Sequence, residues 1–249
     1  MIAVIGAMEE EVQILKHDMQ DVKTEKVSCF EFYLGKIHGK ETVLLRCGIG
    51  KVQAAVGCTT LINKYAPSCV INTGSAGGIN PHGAESLNFG DAVISSGLIY
   101  HDVDLTVFGY KKGQLPGQNS EVFPVRDNLI KAAEDAVRDL QKEDALPVGF
   151  KAIPGLICSG DVFLSDSKRA RELAELFPGV RAVEMESAAI AHSCTLFNTP
   201  YLVLRCLSDI AGEESPLTFD EYLPIAAQNS SAIVKRIIQN LQFAAAPMR

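Results

Sequence analysis

The chain has 249 residues, 47% of them hydrophobic, and its 30 acidic residues outnumber 23 basic ones for a formal net charge of −7. That length and apolar content are enough for one α/β domain with a full core. The acidic balance argues against a nucleic-acid or anionic-membrane surface, and no apolar run reaches the ~18 residues that a membrane span needs.

Residues 2–5 read as a strand, followed at once by a helix with Val12, Leu15 and Met19 on one face. Residues 28–47 read as two or three antiparallel strands around a glycine-containing turn at 38–40. "GIGK" then leads into a helix with Val52, Ala55, Val56, Thr59 and Ile62 at helical spacing, ended by Pro67. "CVINTGSAGG" is a buried strand opening into a glycine-rich turn, and "DAVISSGLIY" is another strand. Residues 110–124 are rich in Gly, Pro, Gln and Asn and read as a long loop, and 127–140 as an amphipathic helix. "GLICSGD" is a strand, after which Ser165, Asp166 and Ser167 cap a helix that stops at Pro178 and Gly179. "RAVEM" is a strand, "ESAAIAHSCTLF" a helix and "YLVLRCLSD" a strand. Thr218 and Glu221 are spaced as a capping box for a last helix with Leu223, Ala226, Ile233, Ile237 and Leu241 facing inward.

The pattern predicts a single α/β domain over residues 1–241, a twisted, mostly parallel mixed sheet flanked by helices, with 242–249 as a disordered tail. Seven cysteines, at 29, 47, 58, 69, 158, 194 and 206, are odd in number and lack C-x-x-C spacing. They read as buried free thiols in a reducing compartment. The five histidines have no ligand spacing either, so neither a metal nor a cofactor is expected. The start "MIAVIGAMEEE" lacks a basic n-region and a long apolar h-region, which leads to the expectation of a cytoplasmic protein.

Polar residues collect where strands end: Glu9, Glu10 and Glu11; Asn72, Thr73 and Ser75; Asp161; Glu184 and Glu186; Ser208 and Asp209. Ligand crevices of open α/β sheets form at that edge. Each group also has a plainer reading. A glutamate run suits a helix dipole, "TGSAGG" suits a tight turn, Ser-Asp suits a cap, and His101 suits a satisfied core position. Taken together, several carboxylates without metal ligands or a nucleophile–base pair suit acid/base work on a polar substrate. Cleavage of a glycosidic bond, with an acid at the leaving group and a base for water, is such a reaction. "TGSAGG" and "GIGK" fail the spacings of the common phosphate and dinucleotide fingerprints.

"GAMEEEV", "GIGKVQAA", "NTGSAGG", "YHDVDLTVFGYKKGQLPG", "SGDVF", "VEMESAAIAH" and "RCLSDIA" occur in this order. Together they resemble the 5′-methylthioadenosine/S-adenosylhomocysteine nucleosidases of the nucleoside phosphorylase/hydrolase superfamily, over roughly residues 1–241. The resemblance implies hydrolysis of the N-glycosidic bond to adenine and a 5-thioribose, a step of methionine salvage. By this resemblance Glu11 activates water, Asp209 protonates adenine N7 and Ser208 orients Asp209. Glu186 holds the ribose diol over Met185, with Ser75, Ala76 and Gly77 on the ribose and water side, and Glu184 supports the ribose side or Arg205. Phe163 stacks on adenine, the backbone of Leu164 reads its edge, and Met8, Ile49 and Phe219 line the 5′-thio pocket. The resemblance further implies a homodimer in which Leu105, Phe108 and Pro116 come from a second copy.

Three rivals stay open at this level. A phosphorylase on the same scaffold needs arginines for phosphate, yet the first arginine is Arg46 and Glu11 would repel the anion. A hydrolase of futalosine-type nucleosides shares most motifs. A non-catalytic nucleoside-binding protein would not need the Glu11 and Asp209 pair.

Overall fold

The computed structural model describes residues 1–211 and 219–241, the side chains of Phe219 and Asp220 excepted. The expected cap at Thr218 and the tail at 242–249 lie outside the described residues. Among the described residues there are ten strands, β1 (Ile2–Gly6), β2 (Gln20–Val27), β3 (Phe30–Ile37), β4 (Lys40–Arg46), β5 (Cys69–Gly78), β6 (Ala92–Tyr100), β7 (Val122–Pro124), β8 (Ala152–Ser159), β9 (Val180–Glu184) and β10 (Tyr201–Ile210). Six α-helices accompany them among those residues: α1 (Glu9–Asp18), α2 (Lys51–Tyr65), α3 (Asp127–Lys142), α4 (Ser167–Leu176), α5 (Ser187–Leu196) and α6 (Phe219–Asn240).

All strands join one mixed sheet in the order β10-β6-β8-β9-β5-β1-β4-β3-β2, with β7 beside β6. β5 also pairs with β10, so the pairings β10-β6-β8-β9-β5-β10 close into a ring. Parallel pairings carry the centre of the sheet, from β1 to its neighbours β4 and β5 and from β8 to β6 and β9. Antiparallel pairings make the β2–β3–β4 margin. β1 is buried along its whole length, as a strand covered on both faces must be.

Several local expectations give way to tertiary context. Met19 is buried, but α1 stops at Asp18 and Met19 already has extended backbone, because β2 starts at Gln20. β2 carries no apolar alternation, since "QDVKTEKV" is an exposed edge strand whose charges protect an open sheet margin. The buried face of α2 is Ala54, Gly57, Cys58, Leu61 and Ile62, whereas Val52 and Val56 turn outward at 73% and 51% exposure. Close packing decides this: a Cβ at Gly57 would stand 3.1–3.3 Å from Cys47, Leu45 and Phe30. "TGSAGG" is not a turn but the second half of β5, registered on β10 from Thr73 opposite Leu204 to Gly78 opposite Ile210. Within 110–124, residues Val122–Pro124 form a short strand on β6.

Candidate active site

A cavity of about 230 Å³ opens where β5, β9, β10 and the end of β1 converge. Ala7, Met8 and Glu11 enter it from the β1–α1 junction, and Ile49 from the turn before α2. Ser75, Ala76 and Gly77 come from β5, and Val162, Phe163 and Leu164 from the segment after β8. Val183, Glu184, Met185 and Glu186 come from the end of β9, and Ser208 and Asp209 from β10. Carboxylates and apolar side chains therefore share one small space, in which charges interact more strongly than in water.

Of the three glutamates in the first turn of α1, Glu10 is exposed and Glu9 lies 3.5 Å from Arg46. Only Glu11 is buried, at 1% exposure. Its Oε2 accepts from the backbone N–H groups of Ala7 (2.7 Å) and Met8 (3.1 Å). Its Oε1 accepts from the Ser75 N–H (2.9 Å) and the Ser75 hydroxyl (3.1 Å). Four donors hold the carboxyl group in one place. Gly74 makes the approach possible, because a Cβ there would stand 2.5 Å from Glu11 Oε1 and 2.4 Å from Arg205 Nη1.

Arg205 on β10 is 1% exposed, and a buried guanidinium needs partners. It ion-pairs with Glu184 at 2.5 Å, donates to Asn72 Oδ1 (2.9 Å) and Ser187 Oγ (3.0 Å), and stands 3.5 Å from Glu186 and 4.0 Å from Glu11. Burial works against its charge, but Glu184, Glu186 and Glu11 together outweigh it and raise its pKa. Glu184 is saturated: it also accepts from the Ser159 hydroxyl and from the N–H groups of Glu186 (3.0 Å) and Ser187 (2.9 Å) at the start of α5. Glu186 has fewer partners, chiefly the Gly50 N–H at 2.9 Å. Burial, and then the charge of Glu184, push its carboxyl up to about 7.

Asp209 stands across a register shift in β10, between Leu207 and Asp209, that lets the strand deliver both Ser208 and Asp209 to the cavity. The sequence reading places these two at the end of the strand "YLVLRCLSD", and they lie inside β10, which runs one residue further to Ile210. Burial raises the Asp209 pKa, against a donation from the Ser208 hydroxyl to Oδ1 at 2.9 Å. Gly77 gives its Oδ2 room, since a Cβ there would stand 3.0 Å away. The cavity thus holds one carboxyl fixed by four donors, Glu11, and a second, Asp209, whose proton is retained to higher pH.

The structure brings Glu11, Ser75, Ala76, Gly77, Phe163, Leu164, Glu184, Met185, Glu186, Ser208 and Asp209 to one cavity, with Met8 and Ile49 at its side. Phe163 is 64% exposed and Ile49 53%, so both sit at the mouth. Phe219 begins α6, and its side chain is outside the described residues. Leu105, Phe108 and Pro116 do not line the cavity; Phe108 is 75% exposed beside Val107 at 84%. His101 is buried against Gly160 and away from the cavity lining. Sequence reasoning left out Ala7, Val162 and Val183 as lining residues, and Arg205 as the centre of the ionic cluster. A signal existed for Arg205: it is the one charge in the middle of the apolar run "YLVLRCL". All seven cysteines are free and six are buried, as expected, whereas Cys29 is exposed in the turn between β2 and β3.

The Phosphorylase superfamily matches this chain over residues 1–239. The 5′-methylthioadenosine/S-adenosylhomocysteine nucleosidase of Psychromonas ingrahamii is 47% identical over 240 residues, which cover 96% of this chain and 99% of that protein. The nucleosidase of the same name from Pseudoalteromonas translucida is 45% identical over 96% of this chain and 97% of its own. Among solved structures, the nucleosidase of Neisseria meningitidis in complex with methylthio-immucillin-A superposes with a TM-score of 0.88 at 43% identity, covering 96% of this chain and 99% of that one. The nucleosidase of Colwellia psychrerythraea in complex with adenine gives 0.87 at 44% identity, over 96% and 94%. The chain belongs to the 5′-methylthioadenosine/S-adenosylhomocysteine nucleosidases of the phosphorylase superfamily.

Proposed function

We propose that this protein hydrolyses the N-glycosidic bond of 5′-methylthioadenosine and S-adenosylhomocysteine to adenine and a 5-thioribose, with Glu11 and Asp209 as the catalytic pair. The observation that carries the roles is the unequal state of two carboxyls on one cavity. Glu11 is fixed as an acceptor by four donors, and Asp209 is pushed toward its protonated form by burial. Glu11 takes a proton from the attacking water, the Ser75 hydroxyl turning aside to free Oε1. Asp209, oriented by Ser208, gives its proton to adenine N7, so that the base leaves neutral. The ribose passes through an oxocarbenium-like state, which the surrounding carboxylates stabilise.

Glu186 accepts from the ribose 2′- and 3′-hydroxyls above Met185, and Ser75, Ala76 and Gly77 close the ribose and water side. Glu184 acts through Arg205 and the start of α5. Phe163 covers the adenine, Leu164 reads its edge through the backbone, and Met8, Ile49 and Phe219 receive the 5′-thio group. Leu105, Phe108 and Pro116 of the partner subunit complete that pocket in a homodimer. The exposed valines of α2 and the exposed Val107 and Phe108 support a shared apolar interface. Buried free thiols suit a cytoplasmic enzyme of methionine salvage. Among the described residues no helix is long and apolar enough to cross a membrane. None of the described side chains lining the cavity is basic, which speaks against phosphate as the nucleophile.

Adenine release from 5′-methylthioadenosine is the test. The expected rate is independent of added phosphate and falls by roughly 10³-fold or more in Glu11→Gln, with substrate binding retained. A rate that requires phosphate, or a Glu11→Gln protein of undiminished activity, would overturn the assignment.

A further inference from the structure

Two walls of the cavity, the turn carrying Ile49 and the segment Val162, Phe163 and Leu164, come from distant parts of the chain. Asp161 joins them. Its Oδ1 accepts from the Lys51 N–H at 2.8 Å, across 110 residues of sequence, and its Oδ2 lies 3.8 Å from Lys51 Nζ. Its own N–H donates to Asp102 Oδ2 at 3.0 Å, the same oxygen that Lys51 Nζ reaches at 2.5 Å. α2 has no cap from its own segment, because Gly50 stands at the N-cap position with φ +94°. Asp161 supplies that cap from outside, and a Cβ at residue 50 would stand 3.1 Å from its Oδ1.

One residue before the capped N–H, the Gly50 N–H points at Glu186 Oε1. One residue after Asp161, the wall at 162–164 begins. The geometry points to Asp161 as a positioning residue: by capping α2 at Lys51 it holds the Gly50 N–H on the Glu186 carboxylate and sets the ribose-side affinity of the site. This inference rests on the nucleosidase reading given above. Glu186 is faced by Glu184 from β9, Arg205 from β10, Glu11 from α1 and Cys47 after β4. Burial and Glu184 raise its pKa, while Arg205 and the Gly50 N–H lower it. Of these influences, only the Gly50 N–H is under the control of Asp161.

The Asp161 side chain is 48% exposed, so truncation leaves no cavity in the core. Asp161→Ala removes the acceptor, whereas Asp161→Asn keeps a carbonyl oxygen in its place. Steady-state kinetics on 5′-methylthioadenosine should show KM raised about tenfold in Asp161→Ala with kcat within about threefold of the wild type. Asp161→Asn should restore KM to within about threefold. The acid limb of kcat/KM should move to higher pH in Asp161→Ala alone, because Glu186 loses a donor to its ionised form. Amide exchange at residues 49–51, followed by mass spectrometry, should accelerate in Asp161→Ala and not in Asp161→Asn. An alanine variant with wild-type KM, acid limb and exchange would overturn the inference, as would an asparagine variant as impaired as the alanine one. If the wild type releases no adenine, the functional reading fails instead, and the exchange rates still decide whether Asp161 holds Gly50.

Discussion

The four carboxyls of this cavity, Glu11, Glu184, Glu186 and Asp209, differ in environment. Glu184 spends its oxygens on Arg205, Ser159 and two backbone N–H groups, so it is held in place as a support of the site. Glu186 lacks such saturation and is pushed up to about 7. A folded-state pKa raised from 4.5 to about 7 makes a stability contribution that is full below pH 4.5 and lost as pH rises through 7. Above pH 7 the ionised Glu186 therefore weakens the fold. Glu186→Gln should raise Tm at pH 8 by roughly 6–12 °C, from a gain of about 3 kcal/mol, and the difference should vanish below pH 4.5. Thermal melts of both proteins from pH 4 to pH 9 check this, and a gap that does not change with pH would contradict it. Glu11, Glu186 and Asp209 stand out in the sequence because carboxyls next to apolar strands are costly without a task. Arg205 was within reach of the same argument. Which glutamate of "EME" is saturated and which is not depends on Ser159 of β8 and Arg205 of β10, 25 and 21 residues away, which no local pattern contains.

At the scale of elements, β5 shows how sequence chemistry is reinterpreted by its neighbours. Three glycines among Thr73, Ser75 and Ala76 read as turn chemistry, yet β10 imposes an extended ladder on them. Their smallness serves proximity: Gly74 admits Arg205 and Glu11, and Gly77 admits Asp209. Gly74→Ala should lower stability by about 2 kcal/mol through overpacking. It should also reduce kcat by more than about 100-fold, since Glu11 would be displaced by a large fraction of an ångström. Urea denaturation together with single-turnover kinetics would measure both; a variant with normal turnover would show that Glu11 tolerates displacement. α2 carries the complementary lesson. Apolar spacing located the helix but not its buried face, because an exposed apolar stripe has the same period as one that meets the core. The exposed edge strand β2 was invisible for a related reason, as charged edges carry no period.

At the scale of the whole molecule, one cavity is assembled from the ends of β1, β5, β9 and β10 and from two connecting segments. The ring of pairings through β10, β6, β8, β9 and β5 fixes their relative positions. Lys51 on α2 is drawn to Asp102, which precedes the exposed Val107 and Phe108. This brings the 102–108 segment to the start of the helix that exposes Val52 and Val56. Val56→Glu should convert a dimer to a monomer in sedimentation velocity and raise KM for 5′-methylthioadenosine about tenfold or more, because charge burial in an apolar interface is unfavourable. A variant that stays dimeric would place the interface elsewhere.

The sequence by itself determined the α/β class, the order of most elements, the family and the set of carboxyls that meet in the cavity. It could do so because hydrophobic period, turn residues and ordered motifs are local properties of the chain. Tertiary structure alone decided that "TGSAGG" is strand, that Val52 and Val56 face outward, that Arg205 reaches Glu11 and Glu186 as well as Glu184, and that Asp161 caps α2. Each of these depends on groups brought together from 18 to 130 or more residues apart, where packing and the pairing of buried polar groups override local preference.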